Sequence, residues 1–162
     1  MAEAALMTSN EVKTVLQRSE LFGALSEEQL EQVVPLCEAR TYSEGELLIT
    51  QGQRLDALYI LVRGMVGLVR HRGATAGKQK SELTVEILGP GRICGWSALA
   101  SARVATLSAR AVIQTDAVVV DGHSLRALLE RSHPMDYAFM KRLVELLGQR
   151  LRQSYSVLDG FL

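Results

Sequence analysis

The sequence predicts a mainly β fold with flanking helices, an α+β arrangement. In it a double-stranded β-helix, a jelly-roll-like β-roll, lies between short N-terminal helices and a long C-terminal helix. Three observations predict it. From residue 42 to 121, short β-branched runs alternate with glycine-bearing turns. On either side of that region the apolar spacing becomes helical. The final helical stretch is long and carries apolar residues at spacings of four and three.

Taken in order, residues 10–18 show weak helical spacing. Ser26 and Gln29 then form an S-x-x-Q capping box ahead of Leu30, Val33, Val34 and Cys37. Residues 1–40 are therefore expected to be short helices, residues 41–121 the β-roll and residues 122–162 the C-terminal helices, all within a single domain, 1–162. Strands are expected over 47–50, 57–62, 65–69, 83–88, 106–111 and 117–120. Glu44-Gly45, Gln51-Gly52, Arg63-Gly64, Gly89-Pro90-Gly91 and Asp121-Gly122 supply the corners between them. The longest polar connection, 71–82, holds Gly73, Gly77, Lys78 and Lys80 and suits a solvated hairpin tip. Helices resume over 124–131 and again from about residue 135, past the helix-interrupting Pro134.

Composition narrows the function. Eighteen basic and eighteen acidic residues cancel, so neither the balance nor any cluster points to nucleic acid. Cys37 and Cys94 are too few for a disulfide framework or a four-cysteine iron–sulfur cluster, and they read as reduced core thiols of a cytoplasmic protein. The N-terminus lacks the parts of a secretory signal, and charged residues interrupt every apolar run well before the ~20 residues a membrane helix needs.

On the long helix, Met140, Val144, Leu147, Leu151 and Leu158 recur in an a/d rhythm, with the polar Ser154 interrupting the stripe. A terminal helix that follows a complete β-roll has little of its own core left to cover, so the stripe predicts a homodimer seam.

The order of elements and several motifs resemble the cyclic nucleotide-binding domain of the catabolite activator and regulatory-kinase superfamily. The run Tyr42-Ser43-Glu44-Gly45-Glu46-Leu47-Leu48-Ile49-Thr50-Gln51-Gly52 is similar to that family's first strand pair, and Leu58-Tyr59-Ile60-Leu61-Val62-Arg63-Gly64 to the next. Leu88-Gly89-Pro90-Gly91-Arg92-Ile93-Cys94-Gly95 resembles the approach to its phosphate-binding cassette. The resemblance implies a ligand site in which Gly95, Ala98 and Leu99 occupy cassette positions and Arg103-Val104-Ala105-Thr106 supplies the anion-binding arginine stretch. Chemistry supports that placement, since an arginine beside a short glycine-opened helix offers a planar donor and Thr106 a hydroxyl. By the same resemblance, Ser154 and Tyr155 would meet the base of cyclic AMP or cyclic GMP.

Two departures bear on the ligand. Trp96 stands where the family has a glutamate that accepts from the ribose hydroxyl, and an indole is a donor only. Ser97 could substitute only if the loop shifts. The span Ala100-Ser101-Ala102 before Arg103 is also short for the family. The expectation is a regulatory sensor of a small anionic ligand, with no catalytic residue, no metal site and no resident cofactor. The alternative is a ligand-free dimerisation module of the same fold, with Trp96 plugging the site. Haem is a lesser alternative, with His71, His123, His133, Cys94 and Met65 as ligand types but no diagnostic motif. Gly95-Trp96-Ser97-Ala98-Leu99 lacks the second glycine of a nucleophile elbow, so an enzyme is not expected. A helix-turn-helix would need several tens of residues beyond Leu158, so no DNA contact by this chain is expected. The downstream protein partner is unspecified.

Overall fold

A computed structural model describes residues 3–73 and 81–161 of the chain. A two-residue strand, β1 (Glu3–Ala4), precedes helix α1 (Ser9–Arg18) and helix α2 (Glu27–Val33). Strands β2 (Cys37–Tyr42), β3 (Leu47–Ile49), β4 (Ala57–Arg63), β5 (Val66–Arg72), β6 (Ser81–Leu88), β7 (Ile93–Cys94), β8 (Ser108–Ala111) and β9 (Thr115–Asp121) build the roll. Helices α3 (Gly122–Glu130) and α4 (His133–Asp159) close the described chain. The predicted jelly-roll-like β-roll with flanking helices is the fold found.

Both N-terminal helices start where the side chains dictate. Thr8 and Glu11 form a reciprocal capping box for α1, and Ser26 and Gln29 form the predicted one for α2. All strand pairs are antiparallel, in one sheet of order β1-β2-β9-β4-β7 and a second of order β3-β8-β5-β6. Strands β4 and β9 pair with Leu58 opposite Val120 and Ile60 opposite Val118, and each buries four consecutive residues at its centre. Their runs are apolar rather than alternating because both faces are covered, with α1 and α3 packed on β4. Strand β6, at the edge of the second sheet, is exposed over most of its length.

Several features differ from the sequence expectation, the two-residue strands β1 and β7 among them. β2 begins at Cys37, inside the stretch read as helical, because Cys-Glu-Ala-Arg-Thr-Tyr pairs residue for residue with the apolar β9 and gains its order there. β5 and β6 extend to Arg72 and back to Ser81, beyond the ends expected for them. The predicted hairpin tip, with Gly77, Lys78 and Lys80, lies outside the described residues. Pro134 occupies the first turn of α4, where its missing N–H costs no hydrogen bond.

A single apolar cluster joins the roll to the helices, and α4 contributes Met135, Phe139, Leu143 and Leu146 to it. The predicted seam residues Met140, Val144, Leu147, Leu151 and Leu158 form a separate, exposed stripe on the same helix. No described helix is long and apolar enough to cross a membrane.

Candidate functional site

β7 ends at Gly95, whose φ of +95° lies in the left-handed region open to glycine. A Cβ there would lie 2.7 Å from the Ala57 carbonyl oxygen and 3.3 Å from the Tyr59 ring. Gly95→Ala is expected to cost roughly 2–3 kcal/mol through left-handed strain and this backbone clash. Chemical denaturation of the variant reads the loss, and an unchanged midpoint would contradict the tight approach of the cassette to β4.

From Gly95 the chain enters a single 3-10 turn, Trp96–Leu99, with Ala98 N–H donating to the Gly95 carbonyl at 3.0 Å. Ala98 is fully buried beside Gly122, and Arg126 of α3 donates to its carbonyl. The short span that follows is stitched to residues 52–55. Leu55 N–H donates to the Arg103 carbonyl, Ala105 N–H to Gln53, and Gly52 N–H to Ala105, all within 2.8–2.9 Å. Arg103 is the single described non-glycine residue with positive φ, at +48°. An arginine in that conformation carries about 1–2 kcal/mol of strain, held by the hydrogen bonds on either side.

Gly95, Trp96, Ser97, Ala105 and Thr106 line one small cavity of about 40 Å³. Its remaining walls are Ile49, Leu55, Leu68, Cys94 and Leu107, and one residue of α4, Arg150. Of the other predicted site residues, Ala98, within the turn, is buried against Gly122 and does not line the cavity. Arg103 and Val104 are outside the lining, and the half-buried Arg103 side chain makes no hydrogen bond or ion pair among the described residues. Ser154 and Tyr155 sit exposed on α4, about one turn beyond Arg150, and the Ser154 hydroxyl donates to the Arg150 carbonyl. A larger groove of about 770 Å³ runs between residues 5–15 and strands β2, β4 and β9, and it contains no cassette residue.

Arg150 was not singled out by the sequence reading, yet it is the charged centre of this cavity. Its guanidinium carbon stands 4.2 Å from the centroid of the Trp96 ring, a cation–π contact. Its Nη2 donates to Glu20 Oε1 at 2.7 Å and to the Ile93 carbonyl at 2.9 Å, and the side chain is only 11% exposed. Nε and Nη1 are buried without a hydrogen-bond partner. Burial pulls the guanidinium below its ordinary pKa, against the raising influence of Glu20 and Glu86. Glu20 binds the whole region together, since it also accepts from Ile93 N–H and pairs with Arg92, while its carbonyl accepts from Arg142. A sequence signal existed. The buried stripe Met135, Phe139, Leu143, Leu146 reaches Arg150 at its next four-residue step, which puts a charge on an apolar face.

Of the candidate haem ligands, Cys94 lines this cavity and His71, His123, His133 and Met65 do not. His71 Nε2 lies 3.1 Å from Ser108 Oγ and its Nδ1 3.3 Å from Glu82, itself held by Arg110. This is a serine–histidine–carboxylate geometry the sequence reading missed, but Ser108 is fully buried and accepts from Gln51 N–H, so its hydroxyl ties β8 to the end of β3 and to His71 of β5. His123 and His133 are exposed at the starts of α3 and α4, and Met65 is exposed at the turn into β5. Cys94 is fully enclosed, and burial pushes its thiol up to about 12.

The family model for the cyclic nucleotide-binding domain matches residues 39–132. The chain is 30% identical over 145 residues to the cyclic AMP receptor protein of Thermus thermophilus, covering 89% of this chain. It spans 62% of that relative's length and 34% of a second curated relative's. Among solved structures, a cyclic nucleotide-binding domain from Methylobacillus flagellatus superposes with a TM-score of 0.76 at 23% identity, covering 95% of this chain and 84% of that one. The Thermus thermophilus catabolite activator protein gives 0.69 at 30% identity, covering 88% and 63%. The matched family model, over more than half of the chain, and the Thermus thermophilus relative establish that this chain belongs to the cyclic nucleotide-binding domain family.

Proposed function

We propose that the chain is a ligand-sensing regulatory domain. It takes a cyclic nucleotide, cyclic AMP or cyclic GMP, or a similar small anion, between the Trp96–Leu99 turn and residues 103–106, and passes occupancy on through α4. One observation carries this reading. Arg150 of α4 stacks on Trp96 of the cassette, so a ligand entering there has to move a side chain of the long helix. A rigid roll and a displaceable helix make a two-state element, and a differential affinity of ~1–3 kcal/mol suffices to bias it. The name of the Thermus relative, a cyclic AMP receptor protein, supports the ligand class.

For a cyclic nucleotide in this reading, Arg103 and Thr106 meet the phosphate, and Ser154 and Tyr155 reach the ligand's far end once α4 moves. Two copies pair along the exposed α4 stripe, the chain touches no DNA itself, and a downstream protein receives the signal. Two free cysteines suit a cytoplasmic setting.

Titration with cyclic AMP and cyclic GMP, followed by Trp96 fluorescence and calorimetry, tests the proposal. Trp96 is the only tryptophan, so the optical signal reports on the cassette. Saturable binding is expected, weakened at least tenfold by Arg103→Ala, and unchanged affinity in that variant would remove Arg103 from the site. The ligand-free dimerisation module is favoured by a different observation, the 40 Å³ left beside Trp96. Silence in both assays would select it.

A further inference from the structure

The cavity beside Trp96 poses a problem that an ordinary cyclic nucleotide does not solve. Two of the three Arg150 guanidinium nitrogens are buried with no acceptor. Each such group costs about 1–3 kcal/mol, more on a cation, so the cavity calls for an acceptor at Arg150. No carboxylate lines the cavity, Trp96 is a donor only, and the Ser97 and Thr106 hydroxyls in its lining do not accept from Arg150 Nε or Nη1. The other walls are mostly aliphatic, including Ile49, Leu55, Leu68 and Leu107. The space, about 40 Å³, compares with ~300 Å³ and upward for pockets that take drug-sized ligands.

Resting on the sensing reading above, we infer that the occupant is a small organic anion, a carboxylate with a short apolar body, whose charge is held by Arg150 rather than by Arg103. The carboxylate meets the Nε and Nη1 donors, and the apolar body packs on the aliphatic walls and the indole face. The ligand requires no sugar hydroxyl, which accounts for a tryptophan at the position where an acceptor would serve a ribose. Arg103, outside the lining, shapes the loop through its left-handed backbone. The local charges leave room for the ligand to act. Glu20 already holds Nη2 of Arg150, so an arriving carboxylate competes with Glu20 for the same guanidinium and loosens the tie between α4 and the loop after α1. The anion is thus bound by the helix that carries the signal.

A chain-length series tests this, with acetate, propionate, butyrate and benzoate titrated into the full chain beside cyclic AMP and cyclic GMP. Trp96 emission and calorimetry give the readouts, on wild type, Arg150→Gln, Arg150→Lys and Arg103→Gln. Arg150→Lys keeps the charge against Glu20 and so the docking of α4, and circular dichroism checks the fold of each variant. The expected result is saturable carboxylate binding, tightening about fourfold per added methylene. Arg150→Gln should weaken it at least tenfold, Arg150→Lys less than Arg150→Gln, and Arg103→Gln less than twofold. Cyclic nucleotide binding without carboxylate binding, or a loss that follows Arg103 instead of Arg150, would overturn this inference and leave the sensing reading standing. Binding of neither class would overturn both.

Discussion

Phe139→Ala is expected to lower stability by ~3–5 kcal/mol, a large share of the ~5–15 kcal/mol that holds a domain folded. Phe139 is fully buried and stands edge-on to Phe22, with ring centroids 5.3 Å apart and planes at 64°. Removing the ring leaves a void at the point where α4 meets the turn after α1, and the aromatic pair adds about 0.5–1.5 kcal/mol beyond the area lost. For a domain of this length the midpoint should fall by roughly 10 °C or more in a thermal melt. The same variant should shift Trp96 emission before global unfolding, because Phe139 and Arg150 lie on one buried stripe of α4. A melt unchanged within 2–3 °C, by the same conversion under about 1 kcal/mol, would mean that α4 is not docked through Phe139.

The legible parts of the fold were those where local chemistry and tertiary context agree. The Ser26–Gln29 box is present with both reciprocal hydrogen bonds, and the left-handed glycines at 45, 52, 64, 91 and 95 fall at corners or at the cassette turn. β4 and β9 announce themselves as runs of Leu, Ile and Val because they are buried on both faces. β2 was illegible because its sequence alternates Glu38 and Arg40 with small residues, and only the register against β9 makes a strand of it. β7 is two residues long, too short for any periodicity to show.

The site was legible in outline and not in its contacts. The resemblance to the family's cassette placed Gly95, Trp96, Ser97, Ala105 and Thr106 in one region, and they line one cavity. What no spacing rule gives is which turn of a long helix meets that cavity. Ser154 and Tyr155 were assigned from resemblance, whereas the helix presents Arg150, one turn earlier, because its buried stripe sets the rotation of every residue after Leu146. A substitution at position 96 also changes what belongs opposite it. A carboxylate there would pair with Arg150 and satisfy its buried donors, while the indole gives the guanidinium a face to lie on and leaves two N–H groups unmet.

Replacing Val144 and Leu151 together with glutamate is expected to convert a dimer of twice 17.8 kDa into a monomer, read by light scattering at tens of micromolar protein. Met140, Val144, Leu147, Leu151 and Leu158 are 37–68% exposed, and every described residue from 151 onward is exposed. In the proposed dimer, the exposed end of α4 would gain order by packing on a second copy. Self-association about a two-fold axis puts each substitution in the interface twice, and four buried glutamates facing apolar partners should weaken it by at least a thousandfold, about 4 kcal/mol. A wild-type monomer at that concentration would instead assign the stripe to a different protein. The two stripes of α4 are offset by one residue at several points, Phe139 and Met140, Leu143 and Val144, Leu146 and Leu147, Arg150 and Leu151, or about 100° on a helix of 3.6 residues per turn. In the proposed mechanism, a rotation of α4 at Arg150 would turn the seam with it. The monomeric variant should accordingly bind ligand with altered affinity, since reciprocal coupling requires that what the site does to the seam, the seam does to the site.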